Sequence, residues 1–115
     1  MSADVTELRR LARDLRAAAG RAEHLARQAV IKTAADIERD AKIAAPVDTG
    51  ALRNSISYEL RDDGLTAEVG PTVHYAPFLE YGTSRMAPRP YLGPAADRHV
   101  PRFEKAIESL ADRVI

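Results

Sequence analysis

Asn54-Ser55-Ile56-Ser57-Tyr58-Glu59-Leu60-Arg61-Asp62-Asp63-Gly64-Leu65-Thr66-Ala67-Glu68-Val69-Gly70 is the stretch on which the fold turns. Its first half alternates. Ile56, Tyr58 and Leu60 fall on one face, and Ser55, Ser57 and Glu59 on the other, which is the period of a half-covered strand. Arg61-Asp62-Asp63-Gly64 is a hairpin turn, because Asp-Gly supplies the positive backbone angles of a tight connection. Leu65, Ala67 and Val69 then alternate with Thr66, Glu68 and Gly70 as the returning strand, which Pro71 closes. A lone hairpin is marginal in water. This one needs helices, a third strand or a neighbouring subunit against it. Most of the remaining chain has helical periodicity, so the expected class is α+β. It comprises N-terminal helices, a small antiparallel sheet (hairpin 54–70), a short helical turn with an exposed basic loop, and a C-terminal helix.

Upstream of the hairpin, Val5, Leu8, Leu11 (or Ala12), Leu15 and Ala18 (or Ala19) recur at steps of three and four, one apolar stripe on a helix. Ser2 or Asp4 can cap its start, with Glu7 three residues after Asp4 in the manner of a capping box. A second stripe follows through Ala22, Leu25 or Ala26, Ala29, Val30, Thr33 or Ala34, Ile37, Ala41 and Ala44. Unbroken, the span would be about 60 Å long at ~1.5 Å per residue. That is long for one small domain, so Gly20 is expected to stop or kink it and leave two helices. Pro46 ends the second, since the residue before proline avoids the helical region. Val47-Asp48-Thr49-Gly50 is a turn, and Asp48 or Thr49 can cap a short helical turn from Ala51 through Leu52 to Arg53.

Downstream, Tyr75 to Leu92 gathers three of the four tyrosines and one of the two phenylalanines. Aromatic rings bury the most area per residue, so this stretch plugs something. Tyr75, Phe78, Leu79 and Tyr81 predict one helical turn stopped by Gly82. Thr83 to Pro90 has no apolar period, two arginines (Arg85, Arg89), no acid and two prolines. It reads as an exposed basic loop that re-enters the body at Tyr91 and Leu92. Ala95, Ala96, Val100, Phe103, Ile107, Leu110 and Val114 make the last helix. Pro94 suits its first turn, and Pro101 should kink it or mark a new start.

The chain has 115 residues, a net charge of +0 and no cysteine. That length reads as one domain, residues 1–115, with 1–19 an N-terminal helical segment. Much of its apolar content is alanine, so a monomer would have a thin core and association would help it. Bulk charge argues for neither nucleic acid nor a membrane surface. Without cysteine there is no disulfide framework, thiolate nucleophile or cysteine metal site. The polar, acidic start Met1–Glu7 is unlike a signal peptide, and no apolar run spans a membrane.

Two motifs together carry a family resemblance. Ala45-Pro46-Val47-Asp48-Thr49-Gly50-Ala51-Leu52-Arg53-Asn54-Ser55-Ile56 follows an alanine-rich helix. Tyr75-Ala76-Pro77-Phe78-Leu79-Glu80-Tyr81-Gly82-Thr83-Ser84 comes next, with Met86-Ala87-Pro88-Arg89-Pro90-Tyr91-Leu92 after it. In this order and separation they resemble the tail-component family of tailed bacteriophages typified by gp10 of phage HK97, over roughly residues 20 to 113. The departures are Tyr91, where phenylalanine is common, and Pro101. The resemblance implies a small α+β virion protein of the head–tail junction, made in the host cytoplasm, with 21–115 as its family-like body. It implies a ring-like homo-oligomer, a hexamer in related neck proteins. Other neck and tail proteins (terminator, connector or tail tube) would be its partners, and DNA would only pass through the channel.

Catalytic readings are weaker. Asp48-Thr49-Gly50 also matches the signature of retroviral-type aspartic proteases, homodimers that pair one carboxylate from each subunit. That signature belongs after an apolar strand in an all-β chain, not after a long helix and Pro46. His74, Tyr75 and Glu80 offer titratable groups without a nucleophile beside a base. His24 and His99 stand isolated in helical patterns and are expected to be solvated. No cofactor or metal ligand set is visible. Glu80 is expected to hold the loop through an arginine–carboxylate fork with Arg85, Arg89 or Arg53, or else to be solvated. Arg85, Met86, Arg89 and Tyr91 are expected to contact a protein neighbour, in preference to DNA, because proline and tyrosine flank the arginines as at interface hot spots. A small nucleic-acid-binding module is the remaining alternative.

Overall fold

The computed structural model of the chain describes residues 5–46, 50–72, 80–82 and 90–114. The element order is α1 (Val5–Ala44), α2 (Ala51–Ser55), β1 (Ser57–Arg61), β2 (Thr66–Gly70) and α3 (Leu92–Val114). This is the expected α+β class, mostly helical with one antiparallel hairpin and a C-terminal helix.

α1 corrects the sequence reading. It is a single helix of 40 residues, unbroken at Gly20. Glycine costs a helix about 1 kcal/mol relative to alanine, but Ala17, Ala18 and Ala19 precede it. A side chain at that position would meet nothing within 4 Å, so no tertiary contact forces a bend there. The length problem is met by extension. The molecule measures 74 × 22 × 20 Å with a radius of gyration of 20.5 Å, against about 13 Å for a compact chain of this size. The C-terminal half of α1 is in the body, with Val30, Ala34, Ile37 and Ala41 buried. The N-terminal half stands out as an arm, and Val5, Leu8, Leu11 and Leu15 on it are all exposed. The capping residues proposed at Ser2 and Asp4 lie outside the described residues.

Among the described residues the core is thin, as the alanine content implies. Ile37, Ala41 and Ala45 meet Leu52, Ile56, Tyr91 and Ala95, with Val69 and Leu92 packed alongside. Ile56 and Tyr91 are the largest fully buried side chains among the described residues.

The hairpin pairs Ser57 with Gly70, Tyr58 with Val69, and Leu60 with Ala67. The two predicted apolar faces are therefore one face. It is only half covered, since Leu60 and Leu65 remain exposed. Strand β1 starts later than expected. Asn54 and Ser55 close helix α2, where the Ser55 hydroxyl donates to the Leu52 carbonyl at 2.7 Å. At the tip, Asp62, Asp63 and Gly64 all have positive φ (54°, 55° and 83°). Aspartate tolerates this region because its side chain can bond locally. Here the Asp62 carboxylate accepts the Thr66 hydroxyl at 2.8 Å. The tip is fastened to α1, with Arg27 Nε donating to the Asp63 carbonyl and its side chain lying against Gly64.

α3 continues through Pro101, which lies inside it, so of the two expectations there the new start is not met. Pro101 is exposed, so its ring faces solvent rather than a packed neighbour. Before α2 stands Gly50 at φ 84°, which itself has no side chain to cap the helix. Asp48 and Thr49, proposed as caps, lie outside the described residues.

Candidate functional site

The resemblance motifs converge on the first turn of α3. A helix start leaves four backbone N–H groups without intrahelical partners. Here Glu80, from the far side of the 83–89 segment, takes three of them. Its Oε1 accepts the N–H of Leu92 at 2.8 Å and of Tyr91 at 3.3 Å, and its Oε2 accepts that of Gly93 at 3.3 Å. Pro94 follows and has no N–H to satisfy. A carboxylate at this end also opposes the positive pole of the helix dipole. Gly93 permits the approach, because a Cβ there would lie 3.3 Å from Oε2.

Glu80 thus has partners the sequence did not suggest. The fork with Arg85 or Arg89 falls outside the described residues. Arg53 is exposed. Tyr81 beside Glu80 is also exposed, and Gly82 has φ 77°, a conformation suited to ending a helical turn. Glu80 and Tyr81 are helical, in keeping with the turn expected there. The clamp therefore joins residues 80–82 to residues 90–93, the two ends of the arginine-bearing segment. Tyr75, Phe78, His74, Met86 and the two arginines themselves lie outside the described residues.

Tyr91 requires a correction. Expected with Arg85, Met86 and Arg89 at a protein contact, it is instead 1% exposed and belongs to the core. It anchors the re-entry point from inside, and the exposed side chain there is Pro90. Pro46 is half-buried and Leu52 buried. Thr72 N–H donates to the Ser55 hydroxyl at 3.3 Å, tying the end of β2 to α2.

His99 also departs from expectation. It is buried, with Nε2 2.6 Å from Asp40 Oδ2 on α1. Arg98 Nη1 reaches the same oxygen at 2.9 Å, and Arg39 Nε reaches Oδ1 at 3.2 Å. The His99 bond, with help from both arginines, holds the Asp40 carboxyl down to about 2. Nearby, Asp36 is also lowered, first by its hydrogen bond from Lys32. A signal for His99 existed in the sequence. It falls four residues from both Ala95 and Phe103, on the apolar stripe of α3. His24 is exposed, as expected, and lies 3.2 Å from the Gln28 amide.

Among the described residues no group of histidine, aspartate or glutamate is placed to hold a metal ion. Asp40, His99, Arg98 and Arg39 cross-brace two helices, and Glu80 braces a helix start. Of the titratable side chains singled out in the sequence, the described Glu80 and His99 are thus engaged in holding elements together. The setting of Gly50, between a long helix and a short one, is unlike the all-β frame of an aspartic protease.

These features define a class, a small α+β protein with a thin core among the described residues, a projecting helix and a segment pinned at both ends. The chain belongs to the family described as "Bacteriophage HK97-gp10, putative tail-component", whose model matches residues 9–82. No curated protein and no solved structure matches the chain.

Proposed function

We propose that this chain is a structural virion protein of the head–tail junction of a tailed phage or prophage. It acts in tail completion by self-association and by docking on neighbouring neck or tail proteins. Its chemistry is assembly rather than catalysis. The observation that carries this reading is the Glu80 clamp within a phage tail-component chain. It fixes both ends of the segment bearing Arg85 and Arg89 to the first turn of α3. A short segment held at both ends loses less entropy on docking than a free one, and arginine is favoured at such contacts. The thin core and the exposed arm agree with a subunit that buries further surface on assembly. DNA is expected only as it passes the channel. Among the described residues no helix is long and apolar enough to cross a membrane.

The test is genetic complementation in the parent phage with Arg89→Ala and with the chain deleted. Deletion should give separate heads and tails by electron microscopy. Arg89→Ala should lower the titre while leaving the thermal melt of the purified chain unchanged. Normal virions from the deletion would end this reading.

A further inference from the structure

Among the described residues, two apolar surfaces lack a partner. One is the stripe Val5, Leu8, Leu11 and Leu15 on the arm of α1, each residue 54–62% exposed. The other is a cleft of about 240 Å³ between α1, the hairpin and α3, lined by Val30, Ile37, Leu65, Val69, Val100 and Phe103 among others. The cleft has room for more than one aliphatic side chain and is open to solvent at Leu65 and Val100. We propose that the arm of one copy of the chain seats its leucine stripe in the cleft of a second copy. This rests on the self-association proposed above and names the surfaces that would carry it.

Three observations select this occupant. The first is the unbroken α1. Leu11 and Arg27, which marks the hairpin tip, are sixteen residues apart on one helix, or about 24 Å at ~1.5 Å per residue. The arm cannot fold back, so its own cleft is out of reach. The second is charge. Residues 5–22 of the arm hold Arg9, Arg10, Arg13, Arg16 and Arg21 against Glu7 and Asp14, five positive and two negative, net +3. On the hairpin, the acidic charge beside the cleft is at the tip, where the exposed Asp62 and Asp63 carry two negative charges, while Glu59 and Glu68 lie on the outer face, paired with Arg61. Asp62 lies at the cleft edge, since it accepts the hydroxyl of Thr66, a lining residue. Two arms laid on one another would instead put +3 beside +3. The third is helix physics. A solvated helical arm of this length is marginal alone, and an apolar seat stabilises it.

The contact is heterologous, because the arm and the cleft are different surfaces. Each copy then offers one of each, and the chain of contacts closes into a ring or continues as a filament.

The chain has no cysteine, so introduced thiols report unambiguously. Full-length Leu11→Cys and full-length Leu65→Cys are prepared separately. Both sites are exposed, so folding should survive, and a thermal melt checks it. Mixed and mildly oxidised, the two should give a disulfide-linked heterodimer, whereas Leu11→Cys with Ser57→Cys, on the outer hairpin face, should not. A chain carrying both Leu11→Cys and Leu65→Cys should give a ladder of multimers on a denaturing gel. An intramolecular bridge is excluded, since disulfides need Cα atoms within about 7 Å. Equal linkage to Ser57→Cys, preferential self-linkage of Leu11→Cys, or no linkage would each overturn the arm-in-cleft contact. If linkage fails but deletion of the chain still separates heads from tails, the neck role stands and only this contact falls. If the ladder forms but virions need no such chain, the contact stands and the neck role falls.

Discussion

Replacing Glu80 by alanine removes the shared acceptor of three backbone N–H groups at the start of α3 while leaving its apolar packing in place. Loss of an ordinary N-cap side chain costs about 0.5–2 kcal/mol. Here the acceptor is charged, and hydrogen bonds to charged groups contribute about 1.5–3 kcal/mol each when lost singly. Three bonds to one carboxylate are not additive, and Glu80 is half-buried, so water replaces part of the loss. A loss of about 3 kcal/mol follows, with the dipole contribution of about 1 kcal/mol included. For a chain of this size that lowers the melting temperature by about 12 °C, at about 4 °C per kcal/mol. Glu80→Gln keeps one carbonyl acceptor and should cost about half as much. Gly93→Ala sharpens the test. Its Cβ would press on Oε2 from 3.3 Å, so it should destabilise the native chain by about 1 kcal/mol. With alanine already at position 80 the pressure is gone. There the same change should be neutral or stabilising, because alanine favours helix over glycine. The assay is urea unfolding of the four chains, read as a double-mutant cycle. A Glu80→Ala cost below about 0.5 kcal/mol, or a Gly93→Ala cost equal in both backgrounds, would refute the clamp.

Two further outcomes follow from the same geometry. The Asp40 carboxyl is held down from 3.8 to about 2, first by its bond to His99, so its contribution to stability is complete above its unfolded value and disappears as pH falls through that interval. Acid titration followed by circular dichroism should show this component in the native chain and lack it in Asp40→Asn; identical acid profiles would contradict it. Tyr91→Ala opens a cavity in a thin core and should cost about 3–5 kcal/mol, a large share of a typical stability of about 5–15 kcal/mol. A melt within 2–3 °C of the native chain, a shift of well under 1 kcal/mol at this size, would return Tyr91 to the contact surface.

Much of the fold was legible in the sequence, because strands and amphipathic helices write their periods into it. The alternation from Ile56 to Val69 located the hairpin, and its register brought Tyr58 to Val69 and Leu60 to Ala67. The stripe through Val30, Ala34, Ile37 and Ala41 named the buried face of α1. The motif around Glu80 marked the place where the chain does something particular, but not what. Gly20 misled, since a glycine stops a helix only when some other contact favours the bend, and here there is none.

The sequence by itself determined the α+β class, the family and the thinness of the core, all of which depend on residue type and short-range order. Tertiary structure alone decided that α1 runs straight out of the body, that Tyr91 is buried, and that Asp40 is bonded to His99 across 59 residues. It also decided that Glu80 faces backbone amides 11 to 13 residues away. A carboxylate pairs with whichever donors the packed helices bring within about 3 Å. No local pattern records that distance.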